Sequence, residues 1–115
     1  MIYSQWDIVI VPFPFVNSLK SKPRPIVILS AHKFNKDTEH YIGAMITSSE
    51  HSAWFGDMEI IDLNGAGLTS PSKVRMKIFT LDHRVIKRQI GTLSENDRRI
   101  LQNNIEQIIS CKKQS

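Results

Sequence analysis

Two short groups of polar side chains stand where apolar runs of the sequence begin or end. Arg24 lies between two prolines at the entrance of the apolar run 25–30, and the prolines restrict the backbone that presents its guanidinium. Thr47 ends another apolar run and is followed by Ser48 and Ser49. A guanidinium donates to two phosphate oxygens at once, and hydroxyls at a strand end also suit a phosphate contact. The alternative for Arg24 is a guanidinium that stays in solvent. The alternative for Thr47 is an ordinary strand residue followed by a turn.

A third candidate is a segment in which cationic and apolar residues alternate. Successive side chains of a strand point to opposite faces, so Lys73, Arg75 and Lys77 are expected on one face, about 7 Å apart. That spacing approximates the distance between phosphates along an extended single strand of nucleic acid. The face is therefore a candidate phosphate track, to which Lys20 and Lys22 could add. The alternative is a solvated outer face of an antiparallel sheet.

Motifs for metal, nucleotide or esterase chemistry are missing from the sequence. The four histidines are widely separated, and no HxH, HExxH or CxxC pattern supplies the compact ligand set of a zinc site. The GxxxxGK[ST], GxGxxG and GxSxG patterns are also missing, which argues against phosphotransferases, dinucleotide-binding proteins and α/β-hydrolases. Cys111 is the single cysteine and has no evident partner base. We therefore expect neither a metal nor a cofactor.

Length and composition predict one ordinary globular domain over residues 1–115. The 115 residues are 41% hydrophobic and 23% charged, with a formal charge of +4 that permits a polyanionic partner without requiring one. No apolar run is long enough to span a bilayer, and the N-terminus lacks the pattern of a signal peptide. A single cysteine fits a reducing compartment. These features predict a cytoplasmic protein without a membrane partner.

Apolar runs rich in β-branched residues predict a series of short strands. They cover residues 7–15, 25–30, 41–47, 58–63 and 73–78, with a further candidate at 85–90. The polar, aperiodic segment 31–40 predicts a loop. The C-terminal segment predicts a helix that begins after Ser94 as N-cap, with Asp97 as its capping-box partner. Together they predict a mainly β fold with a C-terminal helix that covers one side of a strongly bent or closed sheet.

Six blocks of the chain follow one another in a recognisable order. They are WDIVIVPFPF (6–15), KPRPIVILS (22–30), AMITSS (44–49), GLTSPS (67–72), RMKIFTLD (75–82) and IGTLS (90–94). The most specific are the RP pair before an apolar strand and the IT-S strand end about 20 residues later. Each block is weak alone, but their order and gaps over nearly the whole chain resemble the PemK/MazF family of toxins from type II toxin–antitoxin modules.

The resemblance implies a small SH3-like β-barrel that acts as a homodimer. It also implies a metal-independent, sequence-specific endoribonuclease that cuts single-stranded RNA, including mRNA, and so inhibits translation and growth. Arg24 and Thr47 match the catalytic pair of the family, Ser48 matches a polar position near the scissile phosphate, and Arg75 resembles an arginine that some members use. The implied partner besides RNA is a cognate antitoxin with an acidic segment, which the basic face and net charge would attract.

The identity of the general base is left open by two departures from the family pattern. Family members often carry Glu and Gln in the loop before the RP pair, whereas residues 18–22 contain no carboxylate, and Lys77 stands where some members have Asp. His51, just past Thr47, is a candidate because an imidazole exchanges protons near neutral pH. A histidine in a loop is also commonly an ordinary surface residue.

The expected chemistry is attack of the RNA 2′-oxygen on the adjacent phosphorus, which leaves 2′,3′-cyclic phosphate and 5′-hydroxyl ends. Trp54 and Phe55 are candidates for stacking bases, or alternatively for packing against the barrel or a second subunit. Other functions also remain open from the residues. They are a non-catalytic barrel that binds nucleic acid or an acidic partner protein, and a toxin that acts on DNA topology.

Overall fold

The computed structural model of the protein describes residues 1–13 and 22–111. Its strands are β1 (Asp7–Phe13), β2 (Lys22–Ile28), β3 (His40–Ser48), β4 (Met58–Glu59), β5 (Ser72–Asp82) and β6 (Arg88–Thr92). Its helices are α1 (His32–Thr38) and α2 (Glu95–Ile108), and a 3₁₀ turn covers His83–Val85. The end of the first predicted strand, at 14–15, and Lys20 lie outside the described residues. No helix in the described ranges is long and apolar enough to cross a membrane.

The six strands form one antiparallel sheet in the order β4-β5-β3-β2-β1-β6. Its two edges approach each other through the loop 60–68, where the Thr92 N–H donates to the Gly65 carbonyl at 3.1 Å. Gly91 permits this approach, because a Cβ there would overlap the backbone of Ala66. The sheet therefore curls into a half-barrel, and the prediction of a mainly β fold with a C-terminal helix is confirmed.

Apolar side chains cover both faces of this sheet. On the face toward α2 they form a helix-side cluster, which includes Val27, Ala44, Val74 and Leu101. On the other face they form an opposite-face cluster, with members Val9, Val11, Ile26, Ile28, Tyr41 and Leu81. Burial on both faces explains the continuous runs of β-branched residues in the central strands.

The segment 31–40, which we predicted to be a loop, contains α1, so that prediction was wrong. The helix is seven residues long and lacks an apolar stripe. It is held by Asn35, which is fully buried and whose amide donates to the carbonyls of Tyr3 at 3.2 Å and Ser30 at 3.1 Å. A helix held by polar contacts shows no hydrophobic periodicity in its sequence, which is why the pattern did not predict α1.

The predicted strand 58–63 pairs with β5 over only two residues, Met58 and Glu59. Beyond them the Ile61 and Asp62 amides donate at 3.0–3.2 Å to the carboxylate of Asp97 on α2. Asp97 is fully buried, so its side chain binds this loop in place of the expected capping-box contact with Ser94. The N-cap itself is confirmed, because the Asp97 amide donates to Ser94 Oγ at 3.1 Å.

Candidate active site

Arg24 and Thr47 lie on neighbouring strands and on one face of the sheet. The ladder between β2 and β3 ends with Ile26 opposite Met45, and Arg24 and Thr47 each lie two residues beyond that pair. Side chains two residues apart on a strand point to the same face, so Arg24 lies on the face of Ile26, which carries the opposite-face cluster. Thr47 is in turn opposite Lys73 on β5. A row of polar side chains therefore crosses three strands at the end of an otherwise apolar face.

Two clefts meet at Arg24 and Thr47, because both residues line both of them. The cationic cleft, of about 320 Å³, is lined by Arg24, Met45, Ile46, Thr47, His51, Ser52, Arg75 and Lys77. The hydroxyl cleft, also about 320 Å³, is lined by Ile10, Arg24, Pro25, Ile46, Thr47, Ser48, Gly67, Leu68, Thr69, Ser70, Ser72 and Ile90. The two clefts together form one open, positively charged trough. The Arg24 guanidinium and the Thr47 hydroxyl lie at its centre.

His51 makes direct contact with this pair. Its Nδ1 and the Thr47 Oγ1 share a hydrogen bond of 2.6 Å, in which the tautomer of the imidazole decides the donor. Thr47 is only 8% exposed, whereas His51 is exposed at the wall of the cationic cleft. The imidazole therefore connects the buried hydroxyl to the open part of the cleft.

The cations of β5 do not form the solvated face that was one reading of their alternation. The side chains of Lys73 and Arg75 are only 7% and 12% exposed, and both bind the carboxylate of Asp57, at 3.2 and 3.0 Å. Lys77 alone is exposed. The alternation itself is confirmed, since Val74, Met76 and Ile78 pack into or against the helix-side cluster. The prediction of a solvated face was wrong because the Asp57 carboxylate, from the loop before β4, forms buried ion pairs with two of the three cations.

The same two cations fix the loop that carries His51. Lys73 Nζ donates to the His51 carbonyl at 2.6 Å, and the Arg75 guanidinium donates to the Ser52 carbonyl. Burial acts to raise the pKa of Asp57, but hydrogen bonds from Arg75, from the Trp54 N–H and from Lys73 outweigh it and hold that pKa below its usual range. The hydrogen bond to Asp57 raises the pKa of Arg75. Asp57 and Arg75 are therefore both charged at neutral pH.

The two aromatic residues of this loop are accessible. Trp54 is 44% exposed, and its ring lies 4.8 Å from Lys77 Nζ and 5.4 Å from the Arg75 guanidinium carbon. Phe55 is 73% exposed. Packing against the barrel of the same chain therefore does not account for Phe55. Trp54 presents an aromatic surface beside the cationic cleft, held by two cations.

The remaining predicted RNA contacts are distributed unevenly. Ser48 lines the hydroxyl cleft, and Lys22 is exposed at the start of β2. Ser49 instead donates to the Glu59 carboxylate at 2.7 Å and is not part of the described lining of either cleft. Lys20 lies outside the described residues. Within the described ranges, no group of three or more His, Cys, Asp or Glu residues is arranged to hold a metal ion.

Sequence reasoning missed Asp57, which organises the loop, and the hydroxyls of Thr69, Ser70 and Ser72 at the second cleft. Asp57 follows a glycine in a polar loop and carries no local pattern that names its partners. The hydroxyl residues lie in the GLTSPS block, whose resemblance to the family was the one available signal. Their meeting with Thr47 depends on the sheet topology, which local patterns do not encode.

Comparison with known proteins places this geometry in a family. No curated protein sequence matches the chain significantly. Among solved structures, the Mycobacterium tuberculosis toxin MazF-mt6 superposes with a TM-score of 0.71 at 22% identity, covering 88% of this chain and 93% of that one. A MazE–MazF structure from Deinococcus radiodurans gives 0.73 at 14% identity, covering 97% and 99%. A mycobacterial endoribonuclease in complex with its cognate antitoxin gives 0.75 at 10% identity, covering 97% and 99%.

These structural likenesses are all below 25% identity and establish the fold. The family assignment has a separate basis in the sequence. The model of the PemK-like, MazF-like toxin of type II toxin–antitoxin systems matches residues 4–109, which is nearly the whole chain. The protein is therefore a member of the PemK-like, MazF-like toxin family of type II toxin–antitoxin systems.

Proposed function

We propose that the protein is an endoribonuclease that cuts single-stranded RNA without a metal ion and leaves 2′,3′-cyclic phosphate and 5′-hydroxyl ends. The observation that carries this proposal is that Arg24 and Thr47, on neighbouring strands, both line the two clefts. One phosphodiester fits between them, with the flanking nucleotides in the two clefts. Cleavage of mRNA in the cytoplasm would inhibit translation and growth.

The roles of the two residues follow from the charge that develops in the reaction. When the 2′-oxygen attacks phosphorus, negative charge increases on the non-bridging oxygens. The Arg24 guanidinium donates to two such oxygens, and the hydroxyls of Thr47 and Ser48 supply further donors, as in an oxyanion hole. Thr47 is 8% exposed and held in a strand, so its hydroxyl is oriented before substrate arrives.

RNA would be held by the exposed groups around the trough. Lys22 and Lys77 are the exposed lysines of the predicted track, while Lys73 and Arg75 are committed to Asp57. Trp54 offers a ring on which a base can stack beside Lys77. Binding therefore combines a short phosphate track with one aromatic platform. This arrangement suits single-stranded RNA, whose bases are free to stack.

We propose two protein partners as well, a second copy of this chain and a cognate antitoxin. Solved structures with the same fold include a MazE–MazF structure and an endoribonuclease with its cognate antitoxin. The net charge of +4 and the cationic cleft favour an acidic antitoxin segment laid across the trough. Such a segment would compete with RNA for the same cations.

The first prediction concerns the catalytic pair. Purified protein should cut long single-stranded RNA into discrete fragments in EDTA, and end-group analysis should find 2′,3′-cyclic phosphates. Arg24→Ala should reduce the cleavage rate about 10²–10³-fold, because it removes a preorganised donor to the transition state. Thr47→Ala should also reduce the rate strongly.

Matched controls lie outside the linings of both clefts. Arg84 is an exposed arginine paired with Asp82, and Thr80 is an exposed threonine of β5. Alanine variants of both should cut at the wild-type rate. RNA left intact by folded wild-type protein, or cleaved equally fast by Arg24→Ala, would contradict the proposal. Binding of RNA without cleavage would favour the non-catalytic alternative.

A further inference from the structure

We propose that His51 is the proton acceptor of the cleavage reaction and that Lys73 is the residue that positions it. The inference rests on the proposed endoribonuclease function and assigns to it the base that residues 18–22 do not supply. Its starting point is the 2.6 Å hydrogen bond between His51 Nδ1 and Thr47 Oγ1. The imidazole is therefore hydrogen-bonded directly to a proposed catalytic hydroxyl.

The chemistry of the two cleft linings favours His51. Among the described residues that line either cleft, no side chain carries a carboxylate, and the ionisable side chains besides His51 are those of Arg24, Arg75 and Lys77. His51 is the one described residue of either lining that carries an imidazole, the side chain most often used as a general base. A general base has to be able to accept a proton at the working pH, which leaves this imidazole.

The orientation of the ring decides which nitrogen is available. Nδ1 is occupied by Thr47, so Nε2 is the atom left to meet the substrate. His51 is exposed and lines the cationic cleft, and Thr47 lines both clefts together with Arg24. A nucleotide whose phosphate lies between Arg24 and Thr47 would bring its 2′-hydroxyl within reach of the exposed ring.

The backbone around His51 is held by hydrogen bonds from two cations that are themselves in buried ion pairs. Lys73 Nζ donates to the His51 carbonyl at 2.6 Å and lies 3.2 Å from the Asp57 carboxylate. Arg75 binds the same carboxylate at 3.0 Å and also donates to the next carbonyl, that of Ser52. A lysine that is 7% exposed and occupied in this way is poorly placed to bind phosphate. Its contacts instead hold the loop in the position that the reaction needs.

The charged groups that face His51 come from two strands and one loop. They are Arg24 from β2, Lys73, Arg75 and Lys77 from β5, and Asp57 from the loop before β4. The carboxylate of Asp57 is shared between Lys73 and Arg75 and is bound to both. These groups define the surroundings in which the imidazole accepts and releases its proton.

The proposed cleavage forms one bond to phosphorus, breaks another and returns His51 to its neutral form. The 2′-oxygen forms a bond to phosphorus while its proton passes to His51 Nε2. The bond from phosphorus to the 5′-oxygen breaks, and that oxygen takes a proton from a water molecule in the open cleft. The hydroxide left by this water takes the proton from the imidazolium, which returns His51 to its neutral form. The products are the cyclic phosphate and the 5′-hydroxyl.

The second prediction tests the base directly. His51→Ala should reduce kcat about 10²–10⁴-fold, the usual contribution of a positioned base, with RNA affinity retained. The acid limb of the pH–rate profile should disappear, and added imidazole should restore part of the rate. His32→Ala, at an exposed position of α1, is the matched control and should keep both rate and profile. His51→Gln, which keeps a polar side chain of similar length, should fail to restore the profile.

The outcomes separate this inference from the proposed function. If wild type cuts and Arg24→Ala does not, but His51→Ala keeps the rate and the acid limb, His51 is not the base and the endoribonuclease stands. If folded wild type leaves RNA intact, the proposed function fails first. Loss of RNA binding in His51→Ala, with an unchanged profile at saturating RNA, would also overturn the inference.

The role of Lys73 is tested by comparing the effect of its replacement with and without the His51 side chain. Lys73→Met should lower kcat with little change in RNA affinity, and Lys73→Arg should recover part of the rate. In the His51→Ala background, Lys73→Met should cause little further loss, because a residue that acts through His51 has nothing left to position. Equal losses in both backgrounds, or a loss confined to RNA affinity, would overturn the positioning role.

Discussion

The Asp57 carboxylate changes what the neighbouring cations Lys73 and Arg75 can bind. Without it, Lys73 and Arg75 would stand on a sheet face as free cations, and the sequence pattern presents them in this way. With it, both are largely buried, and their remaining donors hold the carbonyls of His51 and Ser52. A buried pair of this kind contributes mainly through position, because desolvation offsets much of its Coulomb attraction.

The third prediction is a pH-dependent stability that disappears when Asp57 is replaced. The pKa of Asp57 is lowered in the folded state, so its contribution is full above the unfolded value of about 3.9 and is lost as pH falls through the folded pKa. Asp57→Asn should cost about 3 kcal/mol or more at pH 7, because it leaves two buried cations uncompensated. Urea unfolding at fixed protein concentration should show this cost shrinking below about pH 4.

A matched control is Asp37→Asn. Asp37 is 56% exposed and pairs with Lys33 on the surface of α1. Removing that pair should change the free energy of unfolding by less than about 1 kcal/mol. An Asp57→Asn variant as stable as this control at pH 7 would contradict the assigned role of the ion cluster.

At the scale of elements, α2 is tied to the sheet edge by a polar contact as well as by its apolar face. Leu101 belongs to the helix-side cluster, while Asp97 binds two amides of the segment after β4. Those amides lack a ladder partner because β4 is only two residues long. The carboxylate thus completes the hydrogen bonding that a longer strand would have supplied.

The fourth prediction separates the cap from this tertiary contact. Ser94→Ala should reduce stability by about 1 kcal/mol, the usual cost of an N-cap. Asp97→Ala should cost more, about 1.5–3 kcal/mol, since it removes hydrogen bonds to a charged group and leaves buried amides unsatisfied. The check is the urea midpoint of each variant at an unchanged m-value. Equal costs would mean that Asp97 acts only within its helix.

At the scale of the whole molecule, one sheet face changes character from end to end. The end near Tyr41 and Leu81 is apolar, and the end near Arg24 and Thr47 is polar and cationic. The net charge of +4 is modest, so attraction of RNA depends on this local concentration of charge. Because Lys73 and Arg75 are buried in ion pairs with Asp57, few cations remain accessible to phosphates.

The fifth prediction is therefore a shallow salt dependence. With about three phosphates contacted, through Arg24, Lys22 and Lys77, log K for an uncleavable 2′-O-methyl RNA should fall with log[salt] at a slope of roughly −2. Fluorescence anisotropy measures this slope. Lys77→Gln should make it shallower by about 0.7, whereas Lys36→Gln, on α1, should leave it unchanged. A slope near −4 in the wild type would mean that Lys73 and Arg75 also contact phosphates.

The features that can be read from the sequence are those that depend on nearby residues. The alternation around Lys73–Lys77 assigned side chains to two faces, Ser94 placed the start of α2, and the ordered blocks resembled the family to which the chain belongs. Periodicity and capping are local, so they can be read along the chain.

The contacts between polar groups that are distant in sequence become visible only in the folded chain. Asp57 and Arg75 are 18 residues apart in sequence, and no local pattern distinguishes this carboxylate from one in solvent. The same holds for α1, which is held by the buried Asn35, and for Arg24 and Thr47, which become neighbours through the pairing of β2 with β3. Contacts of this kind form when distant segments close on one another, because the surrounding core leaves a buried charge or amide no water to bind.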